Sequence, residues 1–271
     1  MAFSARRTTA VIAALAVTAV LPAPPAHAIS NGVPDGSAHP NVGLLALDEG
    51  GEHIAWCSGF YAGENENEDE AGGVFVTAAH CLAGVPADSQ FSVTFDSEVT
   101  IDPETFVTTA AEWLPSAGFA TADGIDVGVV LLAEEPAVAA VELPAAGLLD
   151  DLAARGALRP RTVFDNVGYG LVPSFKRGPA SYDLAPGRMF STSLFQSLTS
   201  NWLRLLTNAD VREGNGGTCF GDSGGPQFVH GTNMTVALSA GGDPLCRARS
   251  RNQRLDVPGA RAFLDRFMQI P

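Results

Sequence analysis

Gly221-Asp222-Ser223-Gly224-Gly225-Pro226 is the run whose reading decides the fold. It presents a serine inside a glycine-rich bend. A serine hydroxyl is a weak nucleophile at neutral pH, and it needs a base beside it and donors for the developing oxyanion. Flanking glycines let backbone N–H groups approach a reacting carbonyl unobstructed. Alone, the run fits two architectures, because Gly221-x-Ser223-x-Gly225 also matches the strand–turn–helix elbow of α/β-hydrolases. That architecture requires an acid and then a histidine after the serine. Only His230 follows, seven residues on, with no Asp or Glu between. Chain order excludes the elbow, and the base lies upstream.

The upstream candidates in the mature chain are His39, His53 and His80. His80 stands apart because it closes the strand-like run Val74-Phe75-Val76-Thr77-Ala78-Ala79 and precedes Cys81. His39, His53 and His230 are scattered and receive no role. Around these runs the chain reads as short strands: Val42–Leu47, Ala55–Tyr61, Val74–Ala78, Phe91–Phe95, Thr105–Thr108, Val127–Leu132, Thr162–Val167, Leu203–Thr207, Gln227–Val229 and Thr235–Ser239. Gly, Pro, Asn or Asp punctuates nearly all of them, as in an all-β sandwich or barrel. Only the end reads as a helix: Pro258 opens a stretch in which Ala262, Phe263, Leu264, Phe267 and Ile270 form an apolar stripe. Residues 145–161, rich in Ala, Leu, Pro and Gly, divide a first β unit (29–144) from a second (162–257), and 258–271 form the helix.

Composition narrows the function. The 271 residues carry 16 Lys+Arg against 30 Asp+Glu, a formal charge of −14. No basic stripe appears, so nucleic-acid binding by charge neutralisation is excluded. An apolar fraction of 46% supports a core and argues against disorder. Arg6-Arg7, the apolar run Ala10 to Leu21 and Ala26-His27-Ala28 predict a secretory signal over residues 1–28. Its removal leaves 243 residues with 14 Lys+Arg and 30 acids, or −16. No later stretch reaches membrane-spanning length, so a secreted, extracellular monomer without a membrane partner is expected. Four Cys in an oxidising compartment read as two disulfides, with three connectivities open. The acidic run Glu64 to Glu70 reads as a solvated hairpin tip. Calcium is the alternative, but the run lacks the spacing of an EF-hand loop. No metal or cofactor is expected. Asn233-Met234-Thr235 is a glycosylation sequon that matters only in a eukaryotic host.

Three runs together resemble the chymotrypsin/trypsin family of serine endopeptidases: Thr77-Ala78-Ala79-His80-Cys81, Asp126-Val127-Gly128-Val129-Val130-Leu131, and Gly221–Pro226. They occur in the family's order His, Asp, Ser. Weaker matches are Ile29-Ser30-Asn31-Gly32, Cys57-Ser58-Gly59, Gly168-Tyr169-Gly170 and Ser239-Ala240-Gly241 before Cys246. The resemblance spans essentially all of residues 29–271. It implies two six-stranded Greek-key β-barrels with the site in the crevice between them, His80 and Asp126 on the first and Ser223 on the second. It further implies that His80 takes the Ser223 proton and that Asp126 fixes the imidazole tautomer. Asp123 is the near rival to Asp126, but it lies before the apolar strand. Gly221 and Ser223 would supply the oxyanion hole from their backbone N–H groups. The family's pattern pairs Cys57 with Cys81 and Cys219 with Cys246, and the absence of its further disulfides suggests a bacterial member.

The same resemblance implies that a free Ile29 ammonium pairs with Asp222, so that signal removal itself creates the active N-terminus. Where trypsins keep an Asp six residues before the nucleophile, this chain has Gly217, followed by Thr218. A substrate pocket of Gly217, Thr218, Ser239, Ala240 and Gly241 is therefore neutral and suits apolar or aromatic residues, with Gln253 or a neighbour on its far wall. Asp243 near the mouth is the one feature that favours a basic side chain. The implied function is secreted hydrolysis of protein or peptide substrates through an acyl-enzyme on Ser223. The alternatives are a catalytically silent binding protein and a narrow esterase using the same three residues.

Overall fold

The computed structural model describes residues 29–66, 72–174, 181–208 and 215–271. The expected signal segment 1–28 and residues 67–70 of the acidic run lie outside the described residues. In chain order the elements are β1 (Val33–Pro34), β2 (Val42–Glu49), β3 (Glu52–Glu64), β4 (Gly73–Thr77), α1 (Ala79–Leu82), β5 (Gln90–Thr94), β6 (Thr100–Ile101), β7 (Thr108–Thr109), β8 (Leu114–Thr121) and β9 (Gly128–Leu132). Then follow α2 (Leu148–Ala154), β10 (Val163–Gly168), β11 (Val172–Ser174), β12 (Ser181–Asp183), β13 (Met189–Leu198), β14 (Trp202–Leu206), β15 (Pro226–Val229), β16 (Thr235–Gly242), β17 (Arg249–Arg254) and α3 (Pro258–Leu264).

Strands β2-β3-β4-β9-β8-β5 close into an antiparallel barrel. β4 and β9 are buried at every position and carry no polar side chain except Thr77 at the end of β4, as befits strands at the heart of a closed sheet. Phe60, Phe75 and Phe91 are wholly buried inside it, each worth roughly 1.5–3 kcal/mol of burial. The second ring runs β13-β10-β15-β16-β17-β14 and closes by β14 pairing back to β13. The chain is all-β with two six-stranded barrels, as its pattern of short punctuated strands predicts.

Three details differ from the sequence reading. β1 pairs with β13 of the second barrel, with Val33 opposite Phe190. The first residues of the 29–144 segment thus pack on the other unit, held there by Ser30, whose backbone exchanges hydrogen bonds with Gly217. The 145–161 segment contains α2, whose Leu149 is buried in the second barrel's core. α3 ends at Leu264, and its buried stripe is Ala260, Phe263 and Leu264, continued by Phe267 and Met268, while Ala262 is exposed. That spacing of three, four, seven and eight keeps one face on the core, a condition Ala262 does not meet. This face packs against the first barrel's hydrophobic cluster, so the end of the chain returns to its beginning. No helix among the described residues is long and apolar enough to cross a membrane.

A buried arginine ties the barrels together. Arg188, just before β13, is almost inaccessible at 2%. Its guanidinium pairs with Asp35 at 2.9 Å and donates to the carbonyls of Val42, Phe95 and Gly36. Burial raises the pKa of Asp35, but hydrogen bonds from His39 and Arg188, with their charges, hold it below its usual range. Removing one partner of a buried ion pair leaves an uncompensated charge. Arg188→Met is expected to lose about 3–5 kcal/mol of unfolding free energy in urea titrations, and the double variant with Asp35→Asn to recover much of it.

Candidate active site

β4 ends at Thr77, whose Oγ1 donates to the Ser58 carbonyl at 2.8 Å. In α1 the residues Ala79, Cys81 and Leu82 are buried, which leaves His80 as the side chain directed outward. The Cys57–Cys81 disulfide fastens this turn to β3. Asp126 stands two residues before β9 and meets His80 twice. Its Oδ1 accepts the His80 backbone N–H at 3.0 Å, and its Oδ2 lies 2.9 Å from Nδ1. One carboxylate thus sets both the backbone and the ring, leaving Nε2 free as acceptor. Burial pushes the Asp126 pKa up, yet the hydrogen bonds from His80 and the charges of His80 and Arg251 hold it below the usual carboxylate range. Asp123 is exposed in the preceding turn and joins none of these contacts.

Ser223 arrives from the second barrel. Its Oγ lies 2.8 Å from His80 Nε2, across 143 residues of sequence. The loop that carries it is seated on Ser58 of β3. The Ser58 N–H donates to the Ser223 carbonyl at 2.9 Å, and Ser58 Oγ donates to the Gly221 carbonyl at 2.9 Å. Gly224 adopts φ +82°, and a Cβ there would lie 2.2 Å from Thr77 Oγ1 and 2.4 Å from the Ser58 carbonyl. No other residue fits at that position.

The peptide planes around Ser223 are fixed as well. The Phe220 carbonyl accepts from Leu171 N–H, and the Asp222 carbonyl accepts from Gly225 N–H. In trans peptides the following N–H groups, those of Gly221 and Ser223, must point the opposite way. Neither donates a hydrogen bond among the described residues.

Asp222 precedes the nucleophile in the same loop. Its carboxylate is completely buried and accepts from Gly170 N–H and Cys219 N–H, both at 2.8 Å. Burial pushes its pKa up to about 7, with those two hydrogen bonds offsetting part of the rise. Ile29 is buried with Val172, Ala185 and Met189. In the continuous chain its nitrogen is an uncharged amide, so it offers Asp222 no charge.

Of the residues expected to line a substrate pocket, Gly217, Thr218, Ser239 and Ala240 are buried and Gly241 is half-buried. A Cβ on Gly217 would sit 2.1 Å from the Thr207 methyl, so that threonine packs directly on the glycine. The Cys219–Cys246 disulfide joins the start of the serine loop to the segment after β16. Two residues expected near the pocket have backbone partners. Gln253 accepts the Asp126 backbone N–H on its Oε1 at 3.3 Å. The Asp243 carboxylate accepts the N–H groups of Leu245, Arg247, Ala248 and Arg249, closing its own loop. A cleft of about 160 Å³ with Gly221 in its wall is bordered by the exposed rings of Trp56, Phe106 and Phe220.

Among the described residues the one His/Cys/Asp/Glu group at ligating distance is Cys57, His80 and Cys81. Both sulfurs are bound in a disulfide and offer no thiolate. His39, His53 and His230 each place Nδ1 on an aspartate, Asp35, Asp48 and Asp165 respectively. Asn233 donates to the Ala140 carbonyl and accepts from Asn41. Sequence reasoning missed Ser58 and Gln253 as supports. Only the Cys57-Ser58-Gly59 run hinted at the first.

The sequence matches the family model of Trypsin over residues 45–251, and the chain belongs to that family. A search of curated proteins finds no match. Solved structures with the same fold include a collagenase, HL collagenase, with 15% identity and a TM-score of 0.61 over 88% of this chain and 97% of that one. Human heparin binding protein shares 18% identity with a TM-score of 0.58 over 88% and 95% of the two chains. The VesB protease of Vibrio cholerae shares 16% with a TM-score of 0.56, and the match covers 84% of this chain but 64% of that one.

Asp222 sets a pH signature. Its native pKa of about 7 lies above the unfolded 3.8, so folding takes up a proton between these values. The stabilisation is complete below pH 3.8 and is lost as pH rises through 7. The chain with residue 29 in peptide linkage should lose about 4 kcal/mol of stability from this group over that window. Denaturant unfolding at stepped pH checks it: Asp222→Asn should flatten that part of the curve.

Proposed function

We propose that the protein is a secreted serine endopeptidase acting on protein or peptide substrates. The observation that carries this reading is the unbroken path Asp126–His80–Ser223, with contacts of 2.9 and 2.8 Å, beside two N–H groups that have no acceptor among the described residues. Ser223 Oγ attacks the scissile carbonyl carbon and its proton passes to His80 Nε2. Asp126, held as a carboxylate, stabilises the imidazolium and does not take the proton. The oxyanion accepts from the Gly221 and Ser223 N–H groups, each donor worth roughly 3–4 kcal/mol in the transition state. Collapse breaks the C–N bond, and the amine leaves with the proton from Nε2. Water then repeats the sequence on the acyl-enzyme, releasing the acid and restoring Ser223.

Removal of residues 1–28 converts the Ile29 amide into an ammonium. Two observations support this step. Ile29 holds φ +59°, a conformation costly for a β-branched residue, and cleavage of the preceding bond abolishes that torsion. Asp222 is a buried carboxyl with no cationic partner in the uncleaved chain, and an ammonium would supply one. The primary pocket, floored by Gly217, Thr218 and the Thr207 methyl, is neutral and suits apolar side chains. The aromatic cleft beside Gly221 receives apolar residues on the leaving-group side.

A fluorophosphonate should label Ser223 in the wild type and nothing in Ser223→Ala. That variant should lose roughly 10⁶-fold in kcat on peptide substrates and Asp126→Asn about 10⁴-fold. Cleavage of esters alone would replace the endopeptidase reading with an esterase. The absence of both labelling and cleavage would leave a binding protein. N-terminal sequencing of the active form should begin at Ile29, and acetylating that amine should abolish most activity.

A further inference from the structure

The outer face of β14 and β17 concentrates positive charge on an otherwise acidic chain. Arg204 and Arg251 are direct cross-strand partners, and Arg249 follows two pairs along, opposite Leu206. All three are exposed, while Leu203 and Leu205 point into the core, so the arginines share the outer surface. Like charges placed directly opposite destabilise a strand pair. Arg188 and Arg254 have aspartate partners at ion-pair distance, but Arg204, Arg249 and Arg251 have no carboxylate there among the described residues. The chain has 30 acids against 16 bases, yet the nearest carboxylate influence on this group is the Asp126 charge felt by Arg251, and none of the three arginines forms a direct ion pair among the described residues. The Arg251 guanidinium lies 4.5 Å over the Trp202 ring, which holds it in place. Together with Gly241, Gly242 and Ser250, the three arginines line a cleft of about 320 Å³.

The cleft opens beside the strand that passes the nucleophile. Ser239 exchanges backbone hydrogen bonds with the serine loop, accepting from Gly224 and donating to Gly225, both at 2.8 Å. Gly241 lies two residues further, about 7 Å along an extended strand. β15 pairs with β16 only as far as Leu238, so beyond that point the β16 edge has no strand beside it among the described residues. A peptide acylating Ser223 and extended along that edge brings its second to fourth residues past Gly241. We propose that this arginine cleft binds the carboxylate side chain of an Asp or Glu two to four residues before the scissile bond, so that the enzyme selects substrates acidic on the acyl side. The inference rests on the endopeptidase reading above and adds the substrate class. The whole chain's negative field opposes acidic peptides at long range. Selection therefore acts at contact distance, where guanidinium–carboxylate hydrogen bonds are strong and directional.

The test compares matched fluorogenic peptides with Glu or Gln at the second, third or fourth residue before the cleaved bond, on the mature protein. At one of these positions kcat/KM should favour Glu about tenfold, the scale of a charge-assisted hydrogen bond. Arg204→Gln with Arg249→Gln should bring that ratio to near one. Because the ratio compares two substrates of one preparation, partial misfolding of the variant does not alter it. Turnover with equal kcat/KM for Glu and Gln at all three positions overturns this inference alone. A wild-type preference that survives the double variant overturns it as well. No turnover of any peptide, with no fluorophosphonate labelling, overturns the endopeptidase reading and this inference together.

Discussion

The site depends on one residue of the first barrel gripping a loop of the second. Ser58 bonds the Ser223 and Gly221 carbonyls, accepts from Thr77 through its own carbonyl, and accepts the Tyr169 N–H on its hydroxyl. Each bond crosses from β3 to a segment that must be in register for His80 and Ser223 to meet. The requirement is steep, since a hydrogen bond weakens sharply beyond about 3.2 Å while the two residues are far apart in sequence. The glycines of the loop follow from it. Gly224 lets the backbone pass within contact of Ser58 and Thr77, and Gly221 allows its carbonyl to turn toward Ser58.

Buried charge fixes the rest of the frame. Arg188 braces the barrels against each other at one end of the seam. Arg254, 1% exposed, pairs with Asp256 and Asp150 and donates to the Thr199 carbonyl, which anchors α2 to the second barrel. Asp222 is held differently, as a buried carboxyl that accepts the Gly170 and Cys219 N–H groups and has no cation at ion-pair distance among the described residues.

Strands with apolar interiors were legible in the sequence. β2, β3, β4, β5, β9, β10, β14, β15 and β16 fall on runs that hydrophobic patterning selects. β8, β13 and β17 do not. β8 carries Pro115 and Gly118 and is half-buried along its length. β13 directs Ser191 and Ser193 inward, and β17 buries Ser250, Asn252, Gln253 and Arg254. The second barrel's interior is partly polar: Asn166 donates to Ser193, and Asn252 donates to the Leu203 carbonyl. A buried side chain with hydrogen-bonding partners is stable yet reads as a surface residue in a one-dimensional pattern. The helix register failed for a related reason, because α3 is placed by the first barrel's cluster and not by its own stripe.

The sequence by itself determined the class of fold, the order His80, Asp126, Ser223, and the residues whose chemistry suits acyl transfer. Short-range patterning and chain order carry that information. Only the tertiary structure decided what supports them. It placed Gln253 against the Asp126 backbone, closed Asp243 on its own loop, buried Asp222 against two backbone N–H groups, and gathered Arg204, Arg249 and Arg251 on one face of β14 and β17. Each of these rests on which residues face one another across strands paired at long range. Cross-strand register is a property of the closed barrel, set by its bulges and its twist, and no local stretch of sequence encodes it.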